Sequence, residues 1–188
     1  MPTLDTAYLI LTGTGVAEPA AAELIAALAA RFPRVLTIPT PNATRVLSRY
    51  TLSRLPGNQL VESYFDAAIL PRPAEGLALV APCGFNSLNK LAAGIADNLA
   101  LSVTAEAIGR GTPVVVGIAC NTPLWAHPRA QESAATLRRW GCTVLDPVRD
   151  GDRTVLAPVA ALVAAVDAAL ERWVGGGPRR DPGQPTAS

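Results

Sequence analysis

Residues 76–82 (GLALVAP) form an apolar run without the alternation that a half-exposed strand shows. Such a run suits a parallel strand covered on both faces. Residues 8–12 (YLILT), 35–38 and 114–118 (VVVGI) have the same character. Between these runs lie segments of helical composition: 18–31 (EPAAAELIAALAAR), 43–50, 86–94 with 99–108, 129–140 and 159–173 (VAALVAAVDAALERW). Strands alternating with helices predict an α/β fold of Rossmann-like, doubly wound type, a mostly parallel sheet with helices on both faces. Residues 143–145 are expected to add one more short strand. From 51 to 75 nothing regular is expected, because Pro56-Gly57-Asn58 reads as a turn and Pro71 and Pro73 interrupt the end of the stretch. One domain is expected over residues 1–174. Residues 175–188 (GGGPRRDPGQPTAS) have little apolar material to bury and are expected to form a disordered tail.

Charge and cysteine content narrow the partners. The formal charge is +1, from 16 Lys plus Arg against 15 Asp plus Glu. No strong field is available to gather nucleic acid or anionic lipid. Hydrophobic residues make up 49% of the chain, yet no run has the length of a membrane span. The amino terminus shows no secretory pattern, and a cytoplasmic protein is expected. Cys83, Cys120 and Cys142 are widely spaced and lack CxxC spacing, which predicts buried thiols rather than a disulfide framework or a zinc site. His127 is the single histidine, so no histidine-rich metal centre is expected, and its place beside Pro128 suits a loop residue better than a base.

Ligands of doubly wound sheets sit beyond the carboxyl ends of the strands, where the strand order reverses. The loops after residues 12, 38, 82 and 118 are therefore the candidates, and small and polar residues collect in them. Thr12, Gly13 and Thr14 offer hydroxyls and backbone amides to a phosphate near a helix start. They match neither GxGxxG nor the P-loop pattern, and a tight turn with a threonine cap is equally compatible. Thr40 offers a second hydroxyl, or a local turn bond. Asn86 and Ser87 follow the 76–82 strand. An asparagine there can hold a carboxylate or an amide without adding charge, and a helix cap would account for one of the two residues. Asn89, Lys90, Asp97 and Asn98 extend the same polar cluster. Asn121, Thr122 and Trp125 are suited either to the polar end and flat part of one ligand or to a turn and core packing.

Four stretches, PCGFNS (82–87), KLAAGIADNL (90–99), ACNTPLW (119–125) and HPRAQ with Arg129 and Gln131, together resemble the homo-oligomeric flavin-containing cysteine decarboxylase family. That family includes phosphopantothenoylcysteine decarboxylases and the peptidyl-cysteine decarboxylases of lantibiotic biosynthesis, and the likeness runs from about residue 8 to 158. The resemblance implies an FMN site between subunits, in trimers or dodecamers of trimers. It matches Thr12, Gly13 and Thr14 to a phosphate-binding segment and Thr40 to a second phosphate hydroxyl. Pro82 and Ser87 fall on the cofactor side, Asn86 on the substrate carboxylate, Asn121 on a clamp asparagine, and Asp97 with Asn98 on cofactor or subunit geometry.

The chain departs from the family at three places. Ala68 stands nearest a family histidine, which leaves Asp66, Tyr64 or a group from another subunit to handle protons. Residues 147–158 (PVRDGDRTVLAP) lack the flap cysteine of the phosphopantothenoylcysteine enzymes, and Ile118 and Cys120 replace a clamp proline and methionine. The expected function is an FMN-dependent, decarboxylase-like lyase acting on a small carboxylated, cysteinyl or peptidyl substrate, outside coenzyme A biosynthesis. The alternatives are a non-catalytic flavin-binding structural or regulatory subunit and a flavin prenyltransferase-like enzyme, the latter needing a further basic phosphate site.

Overall fold

The apolar runs become the inner strands of one parallel sheet. The computed structural model describes residues 5–14, 18–70 and 76–175. In chain order the elements are β1 (Thr6–Leu11), α1 (Glu18–Ala29), β2 (Arg34–Pro39), α2 (Arg49–Ser53), β3 (Asn58–Leu60), β4 (Leu77–Cys83), α3 (Phe85–Ala92), α4 (Leu99–Arg110), β5 (Val114–Ile118), α5 (Thr122–Ala126), α6 (Pro128–Arg139), β6 (Thr143–Leu145), β7 (Val148–Asp150), β8 (Arg153–Val155) and α7 (Val159–Val174). The main sheet has the order β3-β2-β1-β4-β5-β6, and every neighbouring pair is parallel.

Side chains of a strand alternate between faces, so a sheet covered on both sides needs apolar residues at every position. Ala7, Leu9 and Leu11 of β1 pack with α1 and α7, through Leu24, Ile25, Leu162 and Val166. Tyr8 and Ile10 point the other way, into a second core with Leu88 of α3, Val103 of α4 and Leu137 of α6. This is the doubly wound arrangement expected from the strand and helix alternation. Among the described residues no helix is long and apolar enough to cross a membrane.

Local chemistry goes beyond the sequence pattern at four places. The helix expected over 43–50 is a single 3-10 turn (Ala43–Arg45) followed by α2, because the Ser48 side chain accepts from the Thr51 N–H at 3.2 Å and starts a new helix. Edge strand β3 lies within the stretch expected to be irregular, tied in by Asn58. Its side-chain oxygen accepts from the Thr37 hydroxyl at 2.6 Å and its amide donates to the Leu52 carbonyl at 2.8 Å. Helices α3 and α4 are separate, since Gly94 takes a φ of 71° and Asn98 caps α4. Residues 147–158 contain the antiparallel hairpin β7–β8, outside the main sheet. The expectations for Pro71, Pro73 and the tail beyond Gly175 lie outside the described residues.

Candidate functional site

The chain leaves β1 towards β2 and β3 on one side of the sheet, and returns through β4 towards β5 and β6 on the other. The order reverses between β1 and β4, and the connections beyond their carboxyl ends diverge there, leaving a crevice. A cleft of about 590 Å³ occupies that position, within the size range of small-molecule sites.

Thr12 closes the floor of the cleft. Its buried hydroxyl donates to the Pro82 carbonyl at 2.9 Å and accepts from the Gly84 N–H at 3.1 Å, which clasps the end of β1 to the end of β4. Pro82 takes part through that carbonyl and does not line the cleft. Gly13 lies so close to the next loop that a Cβ there would sit 2.8 Å from the Asn42 backbone. A Cβ on Gly84 would lie 2.9 Å from the Thr14 methyl group. The Thr14 hydroxyl reaches the Ala119 carbonyl at 3.3 Å. The Thr40 N–H donates to the Leu11 carbonyl at 2.8 Å, and its hydroxyl oxygen accepts from the Ala43 N–H at 3.4 Å. Four strand-end loops thus meet through backbone and short side chains.

The first turns of three helices meet the cleft. Asn98 caps α4 by accepting from the Leu101 N–H at 3.1 Å, and Asn121 caps α5 by accepting from the Leu124 N–H at 3.0 Å. Helix α3 starts at Gly84, which supplies no side-chain cap, and Phe85, Asn86 and Ser87 of its first turn line the cleft. An uncapped helix start favours an anion through its N–H groups and its dipole. The Asn86 side chain is exposed and has no hydrogen-bond partner among the described residues. Asn121 uses its oxygen for the cap, which leaves its amide NH₂ available. Ser87 is buried at the cleft wall.

The charged pair in the wall is Lys90 with Asp97. The Lys90 ammonium holds the Asp97 carboxyl below the ordinary carboxylate range, with burial opposing. Asn98 donates to the same carboxylate at 3.0 Å. Asp97 and Asn98 therefore fix the start of α4 and hold the lysine. The Cys83 thiol is enclosed, and burial pushes its pKa up to about 12, while burial also raises that of Cys120, which lines the cleft. Both are poor nucleophiles at neutral pH.

Asp66 is not among the residues lining this cleft. Its carboxylate accepts from the Ala68 N–H at 2.8 Å, capping its own turn. Its neighbour Phe65 is 87% exposed, and the Tyr64 hydroxyl meets Ser102 of α4. His127 caps α6, its Nδ1 accepting from the Arg129 N–H at 3.0 Å, and its ring packs edge-on against Phe85. Trp125 packs against the core, and the Thr122 hydroxyl donates to the Asp152 carbonyl. Asn42, Leu101 and Leu124 also line the cleft, although nothing in the sequence pattern singles them out. The hairpin beside α5 escapes the pattern of apolar runs as well, although Gly151-Asp152, its two-residue loop, is a recognisable hairpin signal.

Residues 5–171 match the flavoprotein family. The coenzyme A biosynthesis bifunctional protein CoaBC of Mycobacterium tuberculosis is 34% identical over 138 residues, covering 71% of this chain and 32% of that protein. The matched region therefore spans about a third of that relative's length. Among solved structures, a PPC decarboxylase superposes with a TM-score of 0.73 at 21% identity, covering 92% of this chain and 99% of that one. The FMN-dependent cysteine decarboxylase SpaF gives 0.70 at 22% identity, with 88% and 97% covered. At such identities the superpositions establish the fold.

Proposed function

The chain belongs to the flavoprotein family, and on that premise we propose that it binds FMN in the cleft beyond β1 and β4 and acts as a decarboxylase-like enzyme on a small carboxylated, cysteinyl or peptidyl substrate. The observation that carries this reading is the uncapped start of α3, set in one cleft with Thr14, Thr40 and the two uncharged amides of Asn86 and Asn121. The donors suit a phosphate, and the asparagines suit a carboxylate. The amides of the 12–14 loop, those of the first turn of α3, and the Thr14 and Thr40 hydroxyls would hold the FMN phosphate. Gly13 permits the close backbone approach. Thr12 positions this set through β4, with its own hydroxyl already engaged.

Bound FMN supplies the oxidation of a thiol that makes loss of carbon dioxide from a cysteinyl group feasible. The chain's part is to orient and to stabilise charge. Asn86 donates its amide N–H to the substrate carboxylate, and the Asn121 NH₂ holds a second polar atom of the same molecule. Neither group adds a charge that would trap the carboxylate. Ser87 and the Lys90–Asp97 pair fix the wall.

Self-association as a trimer, or as a dodecamer of trimers, belongs to the same reading. Phe65 is 87% exposed, with Tyr64 at 49% and Ile95 at 46%, which favours a covering copy. That copy would bring the Asp66 loop towards a neighbouring cleft, where Asp66 is the candidate for proton transfer. A cytoplasmic setting is supported by Cys83 and Cys120, both buried thiols outside any disulfide.

The test is direct. Purified protein should carry one FMN per subunit, measured by absorbance and mass after gentle release. FMN-loaded protein should be bleached anaerobically by a cysteinyl compound, with release of carbon dioxide. Protein that is colourless and takes up no added FMN overturns the cofactor assignment. FMN retained without bleaching by any thiol or carboxylate would make the chain a binding subunit. Light scattering over a concentration series checks the assembly, and a monomer that holds FMN tightly removes the shared site.

A further inference from the structure

A cleft of about 520 Å³ lies at the other end of the sheet, at the amino ends of β5 and β6, and shares no lining residue with the first. Ile108, Pro113, Val114 and Ala169 give it apolar surface, and Trp140 and Trp173 stand in its walls. The turns at its rim close two helix ends by themselves. At α4 the Gly111 N–H donates to the Ile108 carbonyl at 3.1 Å and the Thr112 N–H to the Ala107 carbonyl at 3.0 Å. At α6 the Gly141 and Cys142 N–H groups donate to the Arg138 and Leu137 carbonyls, both at 3.0 Å. Each turn passes through a glycine at positive φ, 70° and 91°. Carbonyls satisfied in this way need no side-chain donor.

The arginines in the last turns of α4, α6 and α7 divide into two kinds. Arg110 pairs with Glu106, and Arg138 pairs with Asp146 at 2.6 Å; neither lines the cleft. Arg139 and Arg172 do line it, and among the described residues neither has a carboxylate partner. Each is held by one threonine instead. Arg139 donates to the Thr136 hydroxyl at 2.8 Å, and Arg172 donates to the Thr143 hydroxyl at 2.7 Å. A neutral hydroxyl engages one of the five guanidinium donors and leaves the charge uncompensated. Among the described residues no acidic side chain lines the cleft. The helix dipoles attract these cations, but that attraction is shared with Arg110 and Arg138. Residues 176–188 follow Gly175 at the rim and carry Arg179 and Arg180 against one acidic side chain, Asp181, so they bring no surplus of negative charge.

We propose that this cleft is a second ligand site, for a small organic anion with a flat apolar body. Its carboxylate or phosphate is taken by Arg139 and Arg172, whose donor forks suit either group, and its body lies against Trp140 and Trp173. The volume is that of a small-molecule site. This inference does not depend on the flavin reading of the first cleft.

The experiment is calorimetric titration of FMN-loaded protein, freed of excess cofactor, with three probes that share one ring system. These are 2-naphthoate, 2-naphthyl phosphate and the uncharged 2-naphthalenemethanol. At least one anion should bind saturably, one per chain, and more weakly as salt rises. Arg139→Gln with Arg172→Gln should weaken that anion about tenfold and leave the alcohol unchanged. Trp140→Ala should weaken the anion and the alcohol alike, by about fivefold. Tighter binding of the phosphate assigns a phosphorylated ligand, and tighter binding of the carboxylate a carboxylated one. No saturable binding of either anion, affinity that the arginine variant leaves intact, or an alcohol that binds as tightly as the anions overturns the inference. Protein that holds no FMN is titrated in the same way, and the arginine variant still locates the site, so failure of the cofactor assignment is read separately.

Discussion

Two clefts of similar size lie at opposite ends of the same sheet, about 590 Å³ beyond β1 and β4 and about 520 Å³ at the amino ends of β5 and β6. Their walls come from opposite ends of the helices. The first takes the starts of α3, α4 and α5, with Asn86, Asn98 and Asn121. The second takes the last turns of α4, α6 and α7, with Arg139, Trp140, Arg172 and Trp173. In a parallel sheet every strand points one way and each crossover helix returns the other way. One pole therefore collects strand ends with helix starts, where N–H groups await an anion. The other collects helix ends, which the chain covers with its own arginines, as the helix dipole favours. Volume does not distinguish the two poles; the direction of the backbone does.

The largest expected effect comes from Gly13→Ala, which drives a methyl group into the Asn42 backbone at the first pole. FMN affinity should fall about a hundredfold, the equivalent of about 2.7 kcal/mol, with the circular dichroism of the fold retained. Affinity equal to that of the natural protein would break the comparison, since close loop approach would then not matter.

Thr12→Val removes the clasp and leaves the Pro82 carbonyl and the Gly84 N–H unpaired. Urea unfolding should show a loss of about 2–4 kcal/mol, with Thr12→Ser recovering most of it. Full stability of the valine variant would show that the β1 and β4 ends need no such bond.

Asn86→Asp sets a carboxylate where a substrate carboxylate is proposed. Binding of a carboxylated substrate should weaken about tenfold, while FMN affinity changes much less. Equal losses would make Asn86 a structural residue.

A smaller effect concerns pH. The Asp97 carboxyl lies below its ordinary value of 3.8 because Lys90 bonds to it. A depressed carboxyl adds stability above that ordinary value and loses it as pH falls through the folded one. Asp97→Asn should therefore lower stability slightly near neutrality and flatten the acid limb below about pH 4, where the two proteins converge. An unchanged acid limb would remove the pair from the account of this wall. The smallest effect belongs to the opposite pole, where Trp140→Ala should leave FMN affinity within about twofold. A large loss there would couple the two poles and end their separation.

How much of the fold and the cleft was legible in the sequence depended on the range of the interactions. The unbroken apolar character of 76–82 and 114–118 reveals β4 and β5 because burial on both faces acts on each residue separately. Edge strand β3 and α2 escaped because single side chains, Asn58 and Ser48, define them rather than a period. Asn98 and Asn121 were recognised as polar residues at strand ends, yet both prove to be helix caps as well as cleft walls. Asp66 was singled out by elimination, and the folded chain turns its carboxylate onto the Ala68 N–H.

The sequence by itself determined that strands and helices alternate, that the inner strands are covered on both faces, and that the polar residues gather in the loops after them. These are local properties, set by burial and backbone propensity within a few residues. Only the tertiary structure decided that β1 lies beside β4, that the Thr12 hydroxyl bonds a carbonyl 70 positions away, and that Arg153 is carried to a cleft adjoining theirs. Strand order and side-chain pairing depend on which distant surfaces pack together, and a hydrogen bond across that packing leaves no period in the chain.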